Sequence, residues 1–131
     1  MTIHDLLASA RGRLRRLPAD EVPTALGRGA FLVDIRPAAQ RAEEGEVINA
    51  LVIERNVLEW RLDPESDARI PQAGNHDVEW VILCQEGYTS SLAAASLQDI
   101  GLYRATDVIG GYKALKDIGH PDLAPCRRAW A

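Results

Sequence analysis

The stretch Val78-Glu79-Trp80-Val81-Ile82-Leu83-Cys84-Gln85-Glu86-Gly87-Tyr88-Thr89-Ser90-Ser91 decides how this chain is organised. Its first half, Val78 to Leu83, is a largely apolar run of strand length that ends at a cysteine. Its second half is short and polar and holds one glycine. From Thr89 or Ser90 onward the pattern turns helical, with Leu92, Ala93, Ser96, Leu97 and Ile100 on one face and Gly101 as a C-terminal stop. A strand, a tight connection and a helix in this order let successive backbone N–H groups point into one concavity, joined by the unpaired N–H groups of the first helical turn. A sulfur at its centre meets partial positive charge, which favours the nucleophilic thiolate, and the same cradle suits a persulfide anion or a bound oxyanion. The other reading of Cys84 is a small hydrophobe closing a buried strand, since free cysteine is among the most buried residue types. Spacing alone leaves both open.

Working outward, Phe31-Leu32-Val33-Asp34-Ile35 is a second apolar run, bounded by Gly29 and Pro37, of the kind buried on both faces of a parallel sheet. Asp34 is its one charged residue. Pro37 suits the first turn of a helix over Ala38 to Glu44, which Gly45 breaks. Val47 to Ile53 is another apolar run, Leu58, Trp60 and Leu62 belong to a short element stopped by Pro64, and residues 63–77 read as a polar surface loop. Thr106 to Ile109 reads as a strand, and Gly110-Gly111 opens a helix carrying Tyr112, Leu115 and Ile118 that ends at Gly119 and Pro121. At the start of the chain, Ile3, Leu6, Leu7, Ala10 and Leu14 recur at helical spacing, weakened at Gly12, and Ala19 to Leu26 reads as a short helix closed by Gly27 or Gly29. Strands alternating with helices imply an α/β fold, a small parallel sheet with helices on both faces plus an N-terminal amphipathic helix. Ligand sites in such sheets form at the carboxyl ends of strands, where Asp34 and Cys84 stand.

The 131 residues are 47% hydrophobic and 26% charged, an ordinary globular balance sufficient for one core. The net charge of −4 argues against nucleic acid or an anionic membrane as partner. Arg11, Arg13, Arg15 and Arg16 form a local exception, read as the solvated side of the first helix and its exit, or else as a docking surface. Residues 1–10 lack the pattern of a secretory signal and no window is apolar enough to span a bilayer, so a cytoplasmic protein is expected. Cys84 and Cys126 are then thiols rather than a disulfide framework. His4, His76 and His120 share no ligand spacing with the cysteines, and neither a metal nor another cofactor is expected.

Four motifs in order make the chain resemble a single-domain rhodanese from about Leu17 to Pro121. Phe31 to Arg36 is similar to the family's strand ending in Asp-x-Arg. Glu44 to Ala50 falls where the family usually has Gly-His-Ile-Pro-Gly-Ala, Cys84 to Ser90 falls on its active-site loop, and Gly110-Gly111-Tyr112 on its Gly-Gly-aromatic helix start. The resemblance implies a sulfurtransferase without a cofactor, in which Cys84 accepts sulfane sulfur from a donor such as thiosulfate and passes it to cyanide or a thiol acceptor, a protein acceptor included. It also implies that the backbone amides of Gln85, Glu86, Gly87, Tyr88, Thr89 and Ser90 hold the persulfide, and that Asp34 and Arg36 pin the strand end near the loop. The residues themselves allow a different role for Asp34, as a helix N-cap before Pro37.

This sequence departs from the family pattern in ways that bear on activity. Many active members carry an arginine late in the loop where Thr89 stands, and Glu86 adds negative charge where an anionic donor would approach. The hydroxyls of Thr89, Ser90 and Ser91 are expected either to donate to an anion or to cap the helix. Glu46 replaces the usual histidine and Asn49 the usual proline. A rhodanese-like interaction module, with Trp60, Trp80 and Trp130 as aromatic contacts or as core, is the alternative to a sulfurtransferase. Phosphatase or arsenate-reductase chemistry stands third, because it normally uses an arginine clamp that Gln85 to Ser91 lacks. The expected organisation is a helical extension over residues 1–16, a rhodanese-like domain over 17–121 and a tail over 122–131, in which Cys126 either reaches Cys84 or is idle.

Overall fold

The computed structural model describes residues 1–124; Cys126 and Trp130, and the expectations attached to them, lie outside the described residues. Four parallel strands form one sheet in the order β2-β1-β3-β4, with β1 at Phe31–Asp34, β2 at Leu51–Val52, β3 at Trp80–Leu83 and β4 at Thr106–Asp107. Around it lie α1 (Ile3–Gly12), α2 (Val22–Gly27), α3 (Ala38–Glu44), α4 (Leu58–Leu62), α5 (Thr89–Asp99) and α6 (Gly111–Asp117). Among the described residues no helix is long and apolar enough to cross a membrane.

The apolar runs of β1 and β3 are explained by burial on both faces, because alternate side chains serve two cores. Val33, Trp80 and Ile82 join Leu58, Leu62, Ala93, Ala94 and Leu97 on the α4 and α5 side. Leu32, Val81 and Leu83 join Val22, Ala25, Tyr112 and Leu115 on the α2 and α6 side. The register sets Asp34 beside Leu83 and therefore the carboxyl end of β1 beside Cys84.

Several elements differ from the sequence reading. Of the apolar run Val47 to Ile53, Leu51 and Val52 pair with β1 and Ile53 N–H donates to the Asp34 carbonyl at 3.1 Å; Val47 instead bridges Leu123, and a turn closes between Ala50 N–H and the Val47 carbonyl at 3.2 Å. The expected strand over Thr106 to Ile109 pairs with β3 only through Thr106 and Asp107, and beyond them it pairs with the N-terminal segment. Leu17 N–H donates to the Asp107 carbonyl at 2.9 Å, and Ile109 N–H to the Leu17 carbonyl at 2.8 Å. Loop 63–77 is anchored in the core by Ile70 and Ala73. Pro37 stands at the N-cap of α3, one residue before its first turn, and no side chain caps that helix, so Asp34 is not its cap.

α1 begins with a capping box in which Thr2 Oγ1 accepts from Asp5 N–H at 3.2 Å and Asp5 Oδ2 from Thr2 N–H at 2.9 Å. The helix packs along α5, and Leu14 reaches the same core as Leu97. The four arginines divide: Arg13 and Arg15 are exposed, as a solvated face requires, whereas Arg11 and Arg16 are half-buried. Arg13 pairs with Asp99 at 2.6 Å, while Arg11 and Arg16 turn inward to the segment after β3.

His120 is buried, and neither ring nitrogen has a hydrogen-bond partner among the described residues. Burial holds it below its ordinary value of 6.5, against the opposing pull of Asp122. The unfolded chain therefore takes up this proton first. The stability His120 contributes is complete above its unfolded value and is lost as pH falls from there toward the folded value. Urea midpoints at about pH 7.5 and about pH 5 should differ more for the native chain than for His120→Leu; equal differences would show that His120 carries none of the acid sensitivity.

Candidate functional site

Cys84 follows directly on β3 and is only 5% exposed. Its Sγ accepts Gly87 N–H at 3.2 Å and Ser90 N–H at 3.4 Å. Ser90 is in the first turn of the eleven-residue α5, so the sulfur faces the positive end of that helix as well as the loop amides. The loop is held from outside by its carbonyls. Tyr112 N–H and Lys113 N–H, in the first turn of α6 where the helix itself offers no acceptor, bind the carbonyls of Cys84 and Gln85 at 2.8 and 3.0 Å.

Two glycines permit this approach. Gly111, with φ +62, lies so close that a Cβ there would run into the Cys84 carbonyl oxygen and come within 2.8 Å of Gly87 N. Gly87, with φ +85, would bring a Cβ to 2.9 Å from Gly110 N and 3.0 Å from the Val108 carbonyl. Both positions combine left-handed backbone with closely packed main chain, which only glycine satisfies.

Asp34 and Arg36 form a buried fork, with Arg36 Nη2 to Asp34 Oδ2 at 2.7 Å and Nε to Oδ1 at 3.0 Å. The same guanidinium donates to the Gly45 carbonyl at 2.8 Å and to Gln85 Oε1 at 3.2 Å, and it lies 4.1 Å from the centroid of the Tyr112 ring. It thus joins β1, the turn after α3, the Cys84 loop and α6. With these partners it has little freedom to act as a cation for a ligand. Glu46, where the family has histidine, pairs with Arg41 at 2.9 Å.

A pocket of about 320 Å³ opens over the sulfur, lined by Ile35, Arg36, Pro37, Gln40, Cys84, Gln85, Glu86, Tyr88 and Thr89. Glu86, Tyr88 and Thr89 are exposed at its mouth. Ser90 and Ser91 are not among the residues lining the pocket, and their hydroxyls do not cap α5. Both donate to Asp107 Oδ2, at 2.8 and 2.7 Å, because that fully buried carboxylate requires donors. Arg16 completes its shell, with Nε to Oδ1 at 2.8 Å.

Asp107, Arg11 and Arg16 were missed as site residues by sequence reasoning. Asp107 carries a usable signal, a charged residue inside an apolar run, just as Asp34 does. The arginines carry none, since their partners are more than 70 positions away.

A larger concavity of about 790 Å³, lined in part by Arg13, Arg15, Arg28, Glu79 and Arg104, opens at the amino ends of the strands and holds none of the predicted site residues. Arg28 and Arg104 there share Glu79. Asp63, Glu65 and His76, from loop 63–77, bring ligand atoms within 4.8 Å of one another, an arrangement that acidic groups near the surface commonly adopt without an ion. Trp80 is core and Trp60 is 61% exposed, so the two described tryptophans do not form one surface.

The family model described as Rhodanese-like domain matches residues 18–118. Among solved structures, the chain is similar to a Rhodopseudomonas palustris protein of unknown function, possible tyrosine phosphatase, at 28% identity and TM-score 0.83, covering 93% of this chain and 94% of that one. It is similar in fold to a rhodanese-related protein from Thermoplasma volcanium, at 20% identity and TM-score 0.64, with 84% and 97% covered. The rhodanese-like domain of an Anabaena protein gives 17% identity and TM-score 0.67, with 88% and 83% covered. No curated protein matches the sequence.

Gly111→Ala should lower stability by about 1–3 kcal/mol and slow alkylation of Cys84, because the added methyl pushes on the loop that positions the sulfur. Gly27→Ala, with open space around its Cβ, should leave both near native values. Urea unfolding and the rate with iodoacetamide measure the pair; equal behaviour of the two variants would refute the close-approach requirement.

Proposed function

Because this chain belongs to the rhodanese-like domain family, we propose that it is a sulfurtransferase that carries sulfane sulfur on Cys84. The observation that supports this reading most directly is the Sγ at the floor of an open pocket, accepting two backbone N–H groups beside the N-terminus of α5. In the first half-reaction the Cys84 thiolate attacks the outer sulfur of thiosulfate. The sulfur–sulfur bond of the donor breaks, and sulfite leaves with the electron pair. Cys84 then holds a persulfide whose terminal anion rests in the amide cradle of Gln85 to Ser90. In the second, an acceptor thiolate or cyanide attacks the terminal sulfur and Cys84 thiolate leaves.

No metal or redox cofactor enters either step. A small sulfur donor and a thiol acceptor, a protein thiol included, are the partners of this chemistry, and the reducing cytoplasm is its setting. The pocket mouth bears on the donor. Arg36, the only lining cation among the described residues, is occupied by Asp34, Gly45 and Gln85, whereas Glu86 is exposed. A dianionic donor therefore meets net repulsion on entry.

A phosphatase is the second reading, since the similar Rhodopseudomonas palustris protein is a possible tyrosine phosphatase. Against it, Gln85 to Ser91 contains no arginine, and Arg11 and Arg16 bind the Gly87 carbonyl rather than line the pocket. A phosphate-ester assay separates the two. A non-catalytic interaction module differs from both in having an unreactive Cys84.

Intact mass of the reduced protein after incubation with thiosulfate should rise by one sulfur atom in the native chain and in Cys126→Ser, but not in Cys84→Ser. Uptake by the Cys84 variant would sink the mechanism. Glu86→Gln should accelerate uptake from thiosulfate by about threefold at low ionic strength, with the gain shrinking as salt is added. A gain that is absent or indifferent to salt would remove the electrostatic argument.

A further inference from the structure

Two of the N-terminal arginines end on one atom of the Cys84 loop. Arg11 Nη2 donates to the Gly87 carbonyl at 2.7 Å and Arg16 Nη2 to the same oxygen at 3.0 Å. We propose that Arg11 and Arg16 are positioning residues for the Cys84 cradle, acting through the Gly87–Tyr88 peptide; the inference rests on the sulfur-transfer reading above.

In a trans peptide the carbonyl and the following N–H point in opposite directions, and no described peptide is cis. Fixing the Gly87 carbonyl on the arginine side therefore turns Tyr88 N–H the other way. Tyr88 lines the pocket with Cys84, whereas neither arginine does. Two charge-assisted hydrogen bonds on one carbonyl also polarise the peptide, making its N–H a stronger donor to an anion. Gly87 couples the two sides directly, since its own N–H binds Sγ while its carbonyl takes the arginines.

The grip is firm because each guanidinium is held elsewhere too. Arg11 Nε donates to Ser91 Oγ at 3.1 Å, and its guanidinium lies 5.3 Å from the Tyr88 ring centroid. Arg16 binds Asp107 through Nε at 2.8 Å and Nη2 at 3.3 Å. Asp107 in turn holds the hydroxyls of Ser90 and Ser91, so the same cluster fixes the first turn of α5, whose Ser90 N–H also reaches Sγ. Both arginines precede the matched segment 18–118. Positive charge that the loop sequence lacks is thus supplied from behind the loop, where it orders amides rather than attracts a donor.

The test compares Arg11→Gln, Arg11→Lys and Arg13→Gln with the native chain. Arg13→Gln removes a charge from the same segment without touching the loop. Sulfur uptake by Cys84 from thiosulfate is followed by rapid quench and intact mass, alongside thermal unfolding. Arg11→Gln should lower the saturating rate by about tenfold while changing the half-saturating concentration less than about twofold. Arg11→Lys should recover part of that loss, and Arg13→Gln should match the native rate. If Arg11→Gln does not fold, Arg11→Lys carries the test and should fall between the native chain and a loop without the contact. If the native chain takes up no sulfur, the transfer reading fails separately, and iodoacetamide alkylation of Cys84 tests the arginines instead, with Arg11→Gln slower than Arg13→Gln. Equal rates for Arg11→Gln and Arg13→Gln in both reactions, or a loss explained by unfolding alone, would overturn the inference.

Discussion

Everything at the candidate site depends on a loop whose carbonyls are bound outward so that its amides can turn inward. A backbone segment of a few residues has no intrinsic reason to present several N–H groups to one atom, and like-oriented dipoles oppose such an arrangement. Here the opposition is offset at three carbonyls. Those of Cys84 and Gln85 accept Tyr112 N–H and Lys113 N–H from the first turn of α6, and that of Gly87 accepts Arg11 and Arg16. The sulfur then receives Gly87 N–H and Ser90 N–H without asking the loop to hold itself in place. α5 and α6 thus contribute the same resource, first-turn amides with no acceptor inside their own helix, in two ways: one to the sulfur, the other to the loop that surrounds it.

The buried charges serve the same geometry. Asp34 with Arg36 is an ion pair removed from solvent, and Asp107 with Arg16 is one whose carboxylate is fully buried. A buried pair is weak evidence for net stability, because desolvation cancels much of the attraction, but removing one partner strands the other and costs about 3–5 kcal/mol. Their value here is positional. Each charge binds groups on different elements: Arg36 spans β1, Gly45 and Gln85, and Asp107 spans Arg16, Ser90 and Ser91. A shift of any one element leaves a charge without a partner, which makes the relative placement of β1, α5 and the N-terminal segment nearly all-or-none.

Much of the fold was legible because it is written in local patterns. The doubly buried runs of β1 and β3, the glycine after α3, the start of α5 at Thr89 and the glycine pair before α6 are short-range signals with direct physical causes. Edge strands were less legible. β2 and β4 are two residues long, and their apolar neighbours continue into turns and into pairing with Leu123 and Leu17, which the sequence pattern cannot distinguish from a longer strand. At the site, Cys84 and its loop stood out by position between strand and helix. The serine hydroxyls were misread because their partner, Asp107, follows them by more than fifteen residues, and Arg11 and Arg16 were read as solvated because nothing near them in sequence shows the carbonyl they bind. Local chemistry shows which backbone bends; it does not show what holds the bend.

The most direct measurement is a pH titration of backbone amide chemical shifts by NMR, comparing the native chain with Cys84→Ser and following the rate of Cys84 alkylation over the same range. The expected result is that the amide protons of Gly87 and Ser90 move downfield together as the thiol ionises, in step with the alkylation rate, and remain still in the serine variant. Ionisation of Cys84 with no movement at Gly87 and Ser90, or the same movement without the cysteine, would contradict the view that these amides hold the reactive sulfur.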